Sequence, residues 1–227
     1  MRGLFVTGTD TGCGKTAVAC ALARGAVAQG LRVRVIKAVE TGCSVEGGRV
    51  RAPDAEALAR AARDPSPLSE LCPYPLHLAA APRVAAEREG VEIDAEWIEK
   101  LARAAGSAAD AVLVEGAGGL LVPIGPDLDM AGLARRIGLP VLVVARATLG
   151  TINHTQLTLE AAERRGLCVA GVVVSHTTPS LPFAERANLA LLARVLGPRL
   201  LAELPHGASA LLPALDLPTI LSSSGTS

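Results

Sequence analysis

The sequence predicts an α/β fold: a single doubly wound domain with a mostly parallel central sheet flanked by helices. Two observations support this. Short apolar runs with strand character alternate along the chain with alanine-rich segments of helical spacing. The runs are apolar at nearly every position, as expected for parallel strands that are covered by helices on both faces. The chain of 227 residues, half of them hydrophobic, is long enough for one large domain of this kind.

Taken in order, the strands and helices can be placed from these patterns. The apolar runs predict five strands, at residues 3–7, 32–38, 111–115, 141–145 and 169–175. The alanine-rich segments predict six helices, at residues 15–29, 54–63, 96–105, 130–137, 151–165 and 183–196. In such folds ligands bind at the carboxyl ends of the strands, so the residues that follow each strand are the candidate site.

Three other segments lack a regular pattern. Residues 42–53 combine glycine, serine and charges, which predicts a mobile surface loop. The proline-rich residues 65–75 predict a loop or a short irregular connection. The polar residues 222–227 predict a disordered tail, so that residues 1–221 form the domain.

The composition excludes several classes of partner. Lys plus Arg and Asp plus Glu both number 22, so no excess of basic residues indicates a nucleic acid. Aromatic residues make up only 2%, which disfavours base stacking. No apolar run approaches the length of a membrane span, and a strand that begins near residue 4 leaves no room for a signal peptide. The five cysteines are scattered without a C-x-x-C pair, so we expect no zinc site and a reducing, cytoplasmic location.

The most informative segment is the glycine-rich turn GTDTGCGKT at residues 8–16, which lies between the first strand and the first helix. This order is typical of a phosphate-binding loop, and it makes the predicted fold P-loop NTPase-like. Backbone N–H groups and the helix N-terminus bind phosphates, Lys15 reaches the β- and γ-phosphates, and Thr16 offers a hydroxyl to Mg²⁺. Five residues separate Gly8 from Gly14, one more than in the commonest small GTPase loop.

Polar residues at two strand ends are further candidates. Lys37 ends the second strand, where its ammonium group either neutralises a phosphate or carboxylate or lies at the surface. Asp54 opens a helix, as a cap or as a ligand of Mg²⁺. Glu115 ends the third strand and is followed by glycines, as in a Walker B segment, where it could also hold Mg²⁺.

The helix that starts near Gly150 follows another strand. Its free N–H groups could bind a carboxylate or a phosphate, although Thr151 could equally be a plain N-cap. His154 alone is more typical of a structural histidine than of a catalytic one. The absence of G-x-S-x-G disfavours serine hydrolase chemistry, and the absence of G-x-G-x-x-G from the first turn disfavours a nicotinamide enzyme.

Together these segments resemble the dethiobiotin synthetase family. The resemblance rests on GTDTGCGKT at 8–16, KAVETG at 37–42, Asp54, EGAGG at 115–119 and LGTINHTQLT at 149–158, and it extends to about Pro205. It implies an ATP-dependent ligase of biotin synthesis that uses Mg²⁺. The expected reaction converts 7,8-diaminononanoate, CO₂ and ATP into dethiobiotin, ADP and phosphate, through a carbamate and a carbamic–phosphoric anhydride.

The resemblance also implies roles for individual residues. The catalytic residues are expected to be Lys37, Lys15 and Thr11. The nucleotide is expected to bind Thr9, Asp10, Thr11, Gly12, Cys13, Gly14, Lys15, Thr16, Ser175 and Pro205. The substrate is expected to bind Thr11, Lys37, Thr41, Gly118, Gly150, Thr151, Ile152 and Asn153, and Mg²⁺ to bind Thr16, Asp54 and Glu115. The family resemblance further implies a homodimer in which the helix start at 150–153 binds the substrate carboxylate across the interface.

The chain departs from the family pattern at four places. Lys37 is followed by alanine where proline is common, and Glu40 stands where a small or amide residue is usual. Gly12 replaces an acidic residue seen in some members. Ser175 and His176 replace an Asn-Asp pair whose asparagine binds adenine, and a serine cannot make the same two-point contact. A looser choice of nucleotide base is therefore expected.

Other classes of P-loop protein remain as alternatives. Cobyrinate-type amide synthases share a related ATPase domain but carry a glutamine amidotransferase domain that this chain is too short to contain. Partitioning ATPases usually have a signature lysine early in the loop, where this chain has Thr9, Asp10 and Thr11. A regulatory module without turnover is disfavoured by the presence of Lys15, Lys37 and Glu115 together.

Overall fold

Six parallel strands form the central sheet of the computed structural model, which describes residues 1–222 without the side chain of Ser222. In chain order the strands are β1 (Gly3–Gly8), β2 (Val33–Lys37), β3 (Glu40–Thr41), β4 (Ser44–Glu46), β5 (Arg49–Arg51), β6 (Pro75–Leu76), β7 (Ala111–Glu115), β8 (Val141–Arg146), β9 (Val169–Ser175) and β10 (Leu200–Leu204). The sheet order is β10-β9-β8-β1-β7-β2, and all neighbouring pairs in it are parallel. The predicted fold class is confirmed.

Helices cover both faces of this sheet. In chain order they are α1 (Lys15–Ala28), α2 (Pro53–Ala62), α3 (Leu68–Leu71), α4 (Pro82–Glu89), α5 (Ala95–Ala108), α6 (Met130–Ile137), α7 (Thr151–Arg164), α8 (Phe183–Leu196) and α9 (Leu217–Ser222), with a 3-10 helix at Gly197–Arg199. In β1, Leu4 and Val6 belong to the core on one face, whereas Phe5 belongs to the core on the other. Because both faces are buried, alternation is lost and the strands are apolar throughout.

The structure corrects the predictions for two connecting segments. Residues 42–53, predicted as a mobile loop, contain the antiparallel hairpin of β4 and β5, in which Val45 pairs with Val50. Its turn is formed by Gly47 and Gly48, which both have positive φ angles, and consecutive glycines are a common hairpin signal. Residues 65–75, predicted as irregular, contain the short helix α3 and the start of the pairing between β3 and β6.

Besides β3–β6, α3 and the 3-10 helix, the sequence prediction lacked three elements. They are strand β10 and helices α4 and α9. Strand β10 is an edge strand with three half-exposed positions among its five residues, so its apolar run is short and weak as a signal. Of the predicted tail 222–227, Ser222 is the last residue of α9, and residues 223–227 lie outside the described residues. Within residues 1–222, no helix combines the length and apolar character needed to cross a membrane.

Candidate functional site

The carboxyl ends of β1, β2 and β7 bring the main candidate residues together. Strand β7 lies between β1 and β2, with Glu115 opposite Val6 on one side and opposite Lys37 on the other. The loop that follows β1 therefore reaches the same edge of the sheet as Lys37 and Glu115. This position is where doubly wound sheets bind ligands.

The loop between β1 and α1 has the compact form that its glycines allow. Gly12 and Gly14 have φ angles of 70° and 96°, which are in the left-handed region that favours glycine. The side chain of Lys15 folds back over the loop, and its Nζ atom donates a hydrogen bond of 2.9 Å to the carbonyl of Asp10. The N-terminus of α1 has no side-chain cap, so its N–H groups face the loop without a protein acceptor from a capping side chain.

Close packing fixes this loop against the rest of the site. A Cβ atom on Gly8 would lie 2.4 Å from the sulfur of Cys13, which is fully buried. A Cβ atom on Gly14 would lie 2.2 Å from Oγ of Ser175, the last residue of β9. Cys13 thus fills space beneath the loop, and the hydroxyl of Ser175 packs against the loop backbone.

Lys37 is a buried cation, so the structure excludes the alternative that it is a surface lysine. Its side chain is 5% exposed, and Nζ lies 2.5 Å from Oε1 of Glu115 and 2.9 Å from Oδ2 of Asp54. Burial by itself lowers the pKa of Lys37, but the charges of Glu115 and Asp54 outweigh burial, and the net shift of the pKa is upward. Lys37 is therefore charged at neutral pH.

The residues expected to hold Mg²⁺ converge around this lysine. Thr16 donates a hydrogen bond of 2.8 Å from Oγ1 to Oε1 of Glu115. Asp54 does not cap its helix but points to Lys37, and although burial opposes the shift, the charge of Lys37 lowers the pKa of Asp54. The second oxygen of Glu115, Oε2, is buried and has no hydrogen-bond partner.

These groups fit a hard divalent cation. Among the described residues no cluster of three or more His, Cys, Asp or Glu side chains is arranged for a metal. The set here is instead two carboxylates and one hydroxyl, which suits Mg²⁺ because Mg²⁺ commonly keeps waters and substrate phosphates as its other ligands. The unpartnered oxygen of Glu115 is a further acceptor for such a cation.

Glu40 has a role that the sequence did not indicate. Its carboxylate accepts hydrogen bonds from the backbone N–H groups of Asp54 at 2.9 Å and Ala55 at 3.0 Å. The N-terminus of α2 begins with Ala52 and Pro53, neither of which supplies a capping side chain. Burial raises the pKa of Glu40, and the two backbone donors oppose that shift. Glu40 therefore caps α2 and positions Asp54, and it does not face solvent.

One cavity of about 330 Å³ joins most of the predicted residues. Its lining contains Thr11, Gly12, Gly14, Lys15, Thr16, Lys37, Thr41, Asp54, Glu115 and Gly118. A second cavity, between the same loop and α7, is lined by Thr9, Asp10 and Thr11 together with His154 and Leu157. Thr11 borders both, so the two cavities adjoin at the loop.

Other predicted residues lie outside the first cavity. At the start of α7, Gly150 and Asn153 are exposed, and Thr151 is buried with an unpartnered hydroxyl. Arg146, which the sequence did not single out, ends β8 near this helix start, and its Nη2 lies 3.6 Å from a carboxylate oxygen of Asp10. The residues at the start of α7 therefore do not line the cavity that holds Lys15 and Lys37.

The predicted base-binding residues likewise do not line the cavity that holds the lysines. Ser175 ends β9, and Pro205 directly follows β10, which is the neighbouring strand. Next to Ser175, Nε2 of His176 lies 2.7 Å from Oε2 of Glu203. The Ser175 side chain is buried and packs against Gly14.

Comparison with known proteins gives matches over most of the chain. Residues 2–213 match a family model described as an AAA domain. The ATP-dependent dethiobiotin synthetase BioD of Anaeromyxobacter dehalogenans strain 2CP-1 is 50% identical over 205 residues, which are 90% of each chain. The enzyme of the same name from Janthinobacterium sp. strain Marseille is 43% identical over 224 residues, covering 94% of this chain and 95% of that one.

Solved structures resemble the chain more distantly. The MinC:MinD cell division complex of Aquifex aeolicus gives a TM-score of 0.55 at 13% identity, covering 90% of this chain and 81% of that one. Chloroplast FtsY from Physcomitrella patens gives 0.54 at 18% identity, covering 97% of this chain and 63% of that one. At these identities the likeness concerns the fold alone, and it agrees with the parallel sheet described above.

Proposed function

This chain belongs to the family of ATP-dependent dethiobiotin synthetases, and from that premise we propose that the cavity at the ends of β1, β2 and β7 is its active site. The enzyme is an ATP-dependent ligase of biotin biosynthesis. The observation that carries the assignment is the convergence of two lysines, Lys15 and Lys37, on a cavity that is also lined by Thr16 and by the carboxylates of Asp54 and Glu115. A phosphate-transferring ligase needs such an arrangement of charge.

The proposed reaction joins CO₂ to 7,8-diaminononanoate in three steps. One amine of the substrate adds to CO₂ and loses a proton, which gives a carbamate. A carbamate oxygen attacks the γ-phosphorus of ATP, and the bond to ADP breaks, which gives a carbamic–phosphoric anhydride. The second amine attacks the carbonyl carbon, inorganic phosphate leaves, and the ureido ring of dethiobiotin closes.

The protein's contribution to these steps is positioning and neutralisation of charge. None of them requires a covalent protein nucleophile. Lys15, at the start of α1, acts on the β- and γ-phosphates, and Lys37 acts on the carbamate and the transferred phosphoryl group. The hydroxyls of Thr11 and Thr41 and the backbone at Gly118 line the same cavity and bind the carbamate or phosphate oxygens.

Thr16, Asp54 and Glu115 are the proposed ligands of Mg²⁺. When bound, the cation supplies positive charge to the β- and γ-phosphate oxygens. Glu40 supports this set because it holds the backbone of Asp54 at the start of α2. The hydrogen bond from Thr16 to Glu115 orients the hydroxyl and the carboxylate toward each other before the nucleotide arrives.

The active enzyme in this proposal is a homodimer. Residues Gly150, Thr151, Ile152 and Asn153 bind the substrate carboxylate of the site formed mainly by the partner subunit. Two features support this. The start of α7 is outside the lysine cavity of its own chain, and apolar side chains beside it, at Leu121, Leu149 and Leu157, are at least half exposed. An exposed apolar surface next to a substrate site is typical of a subunit interface.

The loop residues 9–16 form the phosphate-binding part of the proposed nucleotide site, and Ser175 and Pro205 border its base. Because the Ser175 hydroxyl packs against Gly14, base recognition does not depend on it in this proposal. We therefore expect CTP or GTP to support turnover better than they would in a relative that reads adenine with an asparagine.

The first experiment combines purified protein with 7,8-diaminononanoate, bicarbonate and MgATP and detects dethiobiotin by mass spectrometry. Formation of a product that requires all three components is the expected result. Lys37→Ala should reduce turnover by about a hundredfold or more while leaving ATP binding nearly unchanged, because the lost charge acts mainly in the transition state. Lys100→Ala, which removes an exposed lysine of α5, is the matched control and should behave as the wild type.

Two other outcomes would change these assignments. Tight ATP binding without dethiobiotin would move the assignment to another amide-forming P-loop ligase or to a regulatory ATPase. Full turnover by Lys37→Ala would remove Lys37 from the mechanism. Replacement of ATP by CTP or GTP in the same assay tests the expected relaxation of base choice.

A further inference from the structure

The ammonium group of Lys37 lies where the proposed ligands of Mg²⁺ meet. It contacts one oxygen of Asp54 and one oxygen of Glu115, at 2.9 and 2.5 Å. The same Glu115 oxygen accepts the hydroxyl of Thr16. The oxygen groups assigned to the divalent cation are thus already engaged by a cation that belongs to the protein.

We propose that Lys37 competes with the divalent cation for Asp54 and Glu115, so that binding of the cation displaces the Lys37 ammonium group from these carboxylates. The inference rests on the function proposed above, in which both carboxylates and Thr16 hold the cation. Lys37 then has two successive roles: counter-ion of Asp54 and Glu115 before the cation binds, and phosphoryl-transfer residue once it is released.

Distance and charge make the two cations mutually exclusive on the same oxygens. Mg²⁺ holds its oxygen ligands at about 2.0–2.1 Å in a nearly octahedral shell. An ammonium group bonded to the same carboxylate oxygen at about 2.7–2.9 Å would lie within or against that shell. Both groups are positive, and the side chains of Lys37 and Glu115 are almost fully buried, so water screens their charges poorly.

The structure also provides a route for the exchange. Oε2 of Glu115 is buried and has no partner, so it can accept an arriving cation while Oε1 still holds Lys37. Asp54 is 42% exposed and faces the cavity, so it is accessible from solvent. An unpaired buried carboxylate would be costly. By this route neither carboxylate loses the positive charge of Lys37 before the divalent cation has bound.

After its displacement, the Lys37 ammonium group can move within the same cavity. The cavity that holds Lys37 is also lined by Thr11, Thr41 and Lys15. The four-carbon side chain of lysine is flexible enough to move its ammonium group within such a cavity. Binding of the cation would therefore move the Lys37 ammonium group to the place where the carbamate and the γ-phosphate react. Cation binding would in this way be coupled to the positioning of Lys37 for phosphoryl transfer.

The test measures binding of Mn²⁺ without nucleotide, followed by the electron paramagnetic resonance signal of the free ion. Lys37→Met removes the charge and keeps a side chain of similar length. We expect this variant to bind Mn²⁺ at least about tenfold more tightly than the wild type, because a buried competing charge is gone. Lys100→Met, at an exposed position of α5, is the control and should bind Mn²⁺ as the wild type does. Equal affinity of Lys37→Met and the wild type, or no binding by either, would overturn the competition.

A second measurement avoids dependence on the folding of Lys37→Met. Crystal structures of the wild type with and without Mn²⁺ should differ at Lys37. With the ion bound, Nζ should lie beyond hydrogen-bonding distance of Asp54 and Glu115. A lysine that keeps both contacts beside a bound ion would contradict the inference, whatever the variant shows.

The metal assignment itself is tested by Asp54→Asn and Glu115→Gln. If either substitution weakens Mn²⁺ binding but Lys37→Met does not strengthen it, the metal ligands stand and only the competition fails. If neither substitution changes Mn²⁺ binding, the proposed ligands are wrong and the competition fails with them. Dethiobiotin formation is measured separately, so the proposed reaction is judged on its own result.

Discussion

Two buried charged residues, Lys37 and Glu40, determine how the candidate site is held. They lie three residues apart, and both act on Asp54: Lys37 on its side chain, and Glu40 on its backbone. Buried charges are stable only when they are paired and hydrogen-bonded. The arrangement accounts for the buried carboxylate at position 40, which accepts two backbone N–H groups at the start of α2.

The first prediction concerns Glu40. Glu40→Ala removes the acceptor of two backbone N–H groups at the start of α2, so we expect it to lower the free energy of unfolding by about 1–3 kcal/mol. Glu40→Gln keeps one acceptor oxygen and should have a smaller effect. Urea denaturation followed by circular dichroism measures both, and Glu92→Ala, at an exposed position, is the control. Unchanged stability of Glu40→Ala would show that the cap is dispensable.

At the scale of elements, the contact between the phosphate-binding loop and the end of β9 sets the shape of the loop. Gly14 has a positive φ angle, and its α-carbon faces the buried hydroxyl of Ser175. Gly12 also has a positive φ angle, but a Cβ atom there would meet nothing within 4 Å. A side chain at either position would strain the backbone, but only a side chain at Gly14 would also collide with Ser175.

The second prediction uses this difference. Gly14→Ala should weaken ATP binding by at least about tenfold more than Gly12→Ala, because both bear strain of about 1 kcal/mol but only the first pushes against β9. Adding Ser175→Gly to Gly14→Ala removes the obstructing atoms and should restore part of the affinity. Isothermal titration with ATP measures all three variants. Equal affinities for the two alanine variants would mean that the contact with Ser175 does not shape the site.

At the scale of the whole molecule, the proposed active site needs two copies of the chain. The lysine cavity belongs to one subunit, and the start of α7 that binds the substrate carboxylate belongs to the other. In a closed two-fold dimer each subunit then contributes to both sites. This arrangement can be tested without a structure of the complex.

The third prediction is therefore complementation between subunits. Lys37→Ala should lack turnover, and Asn153→Ala should raise the KM for the diamine more than the KM for ATP, because Asn153 binds the carboxylate end. After the two are mixed and their subunits exchange, half of the dimers are mixed and each has one intact site. Activity measured below the diamine KM should then rise to about a quarter of the wild-type value. Activity no higher than the average of the two unmixed variants would indicate that each site lies within one subunit.

The sequence by itself determined the features that depend on neighbouring residues along the chain. The apolar runs of β1, β2, β7, β8 and β9, the helices between them and the loop from Gly8 to Thr16 all follow from local pattern. The reason is physical: a strand buried on both faces must be apolar throughout, and a phosphate-binding turn needs glycine at particular backbone angles. The resemblance of four short segments and of Asp54 then indicated the family, which the relatives confirm.

Only the tertiary structure decided the contacts that depend on the order of strands in the sheet. Because β7 lies between β1 and β2, Glu115 meets both Thr16 and Lys37, although they are 99 and 78 residues away in sequence. The contact of Ser175 with Gly14 likewise joins segments that are distant in sequence, whereas the cap that Glu40 provides for α2 joins residues only 14 and 15 positions apart. Each of these side chains is polar, so its pattern along the chain is equally typical of a surface position, and its burial is fixed only when distant segments pack together.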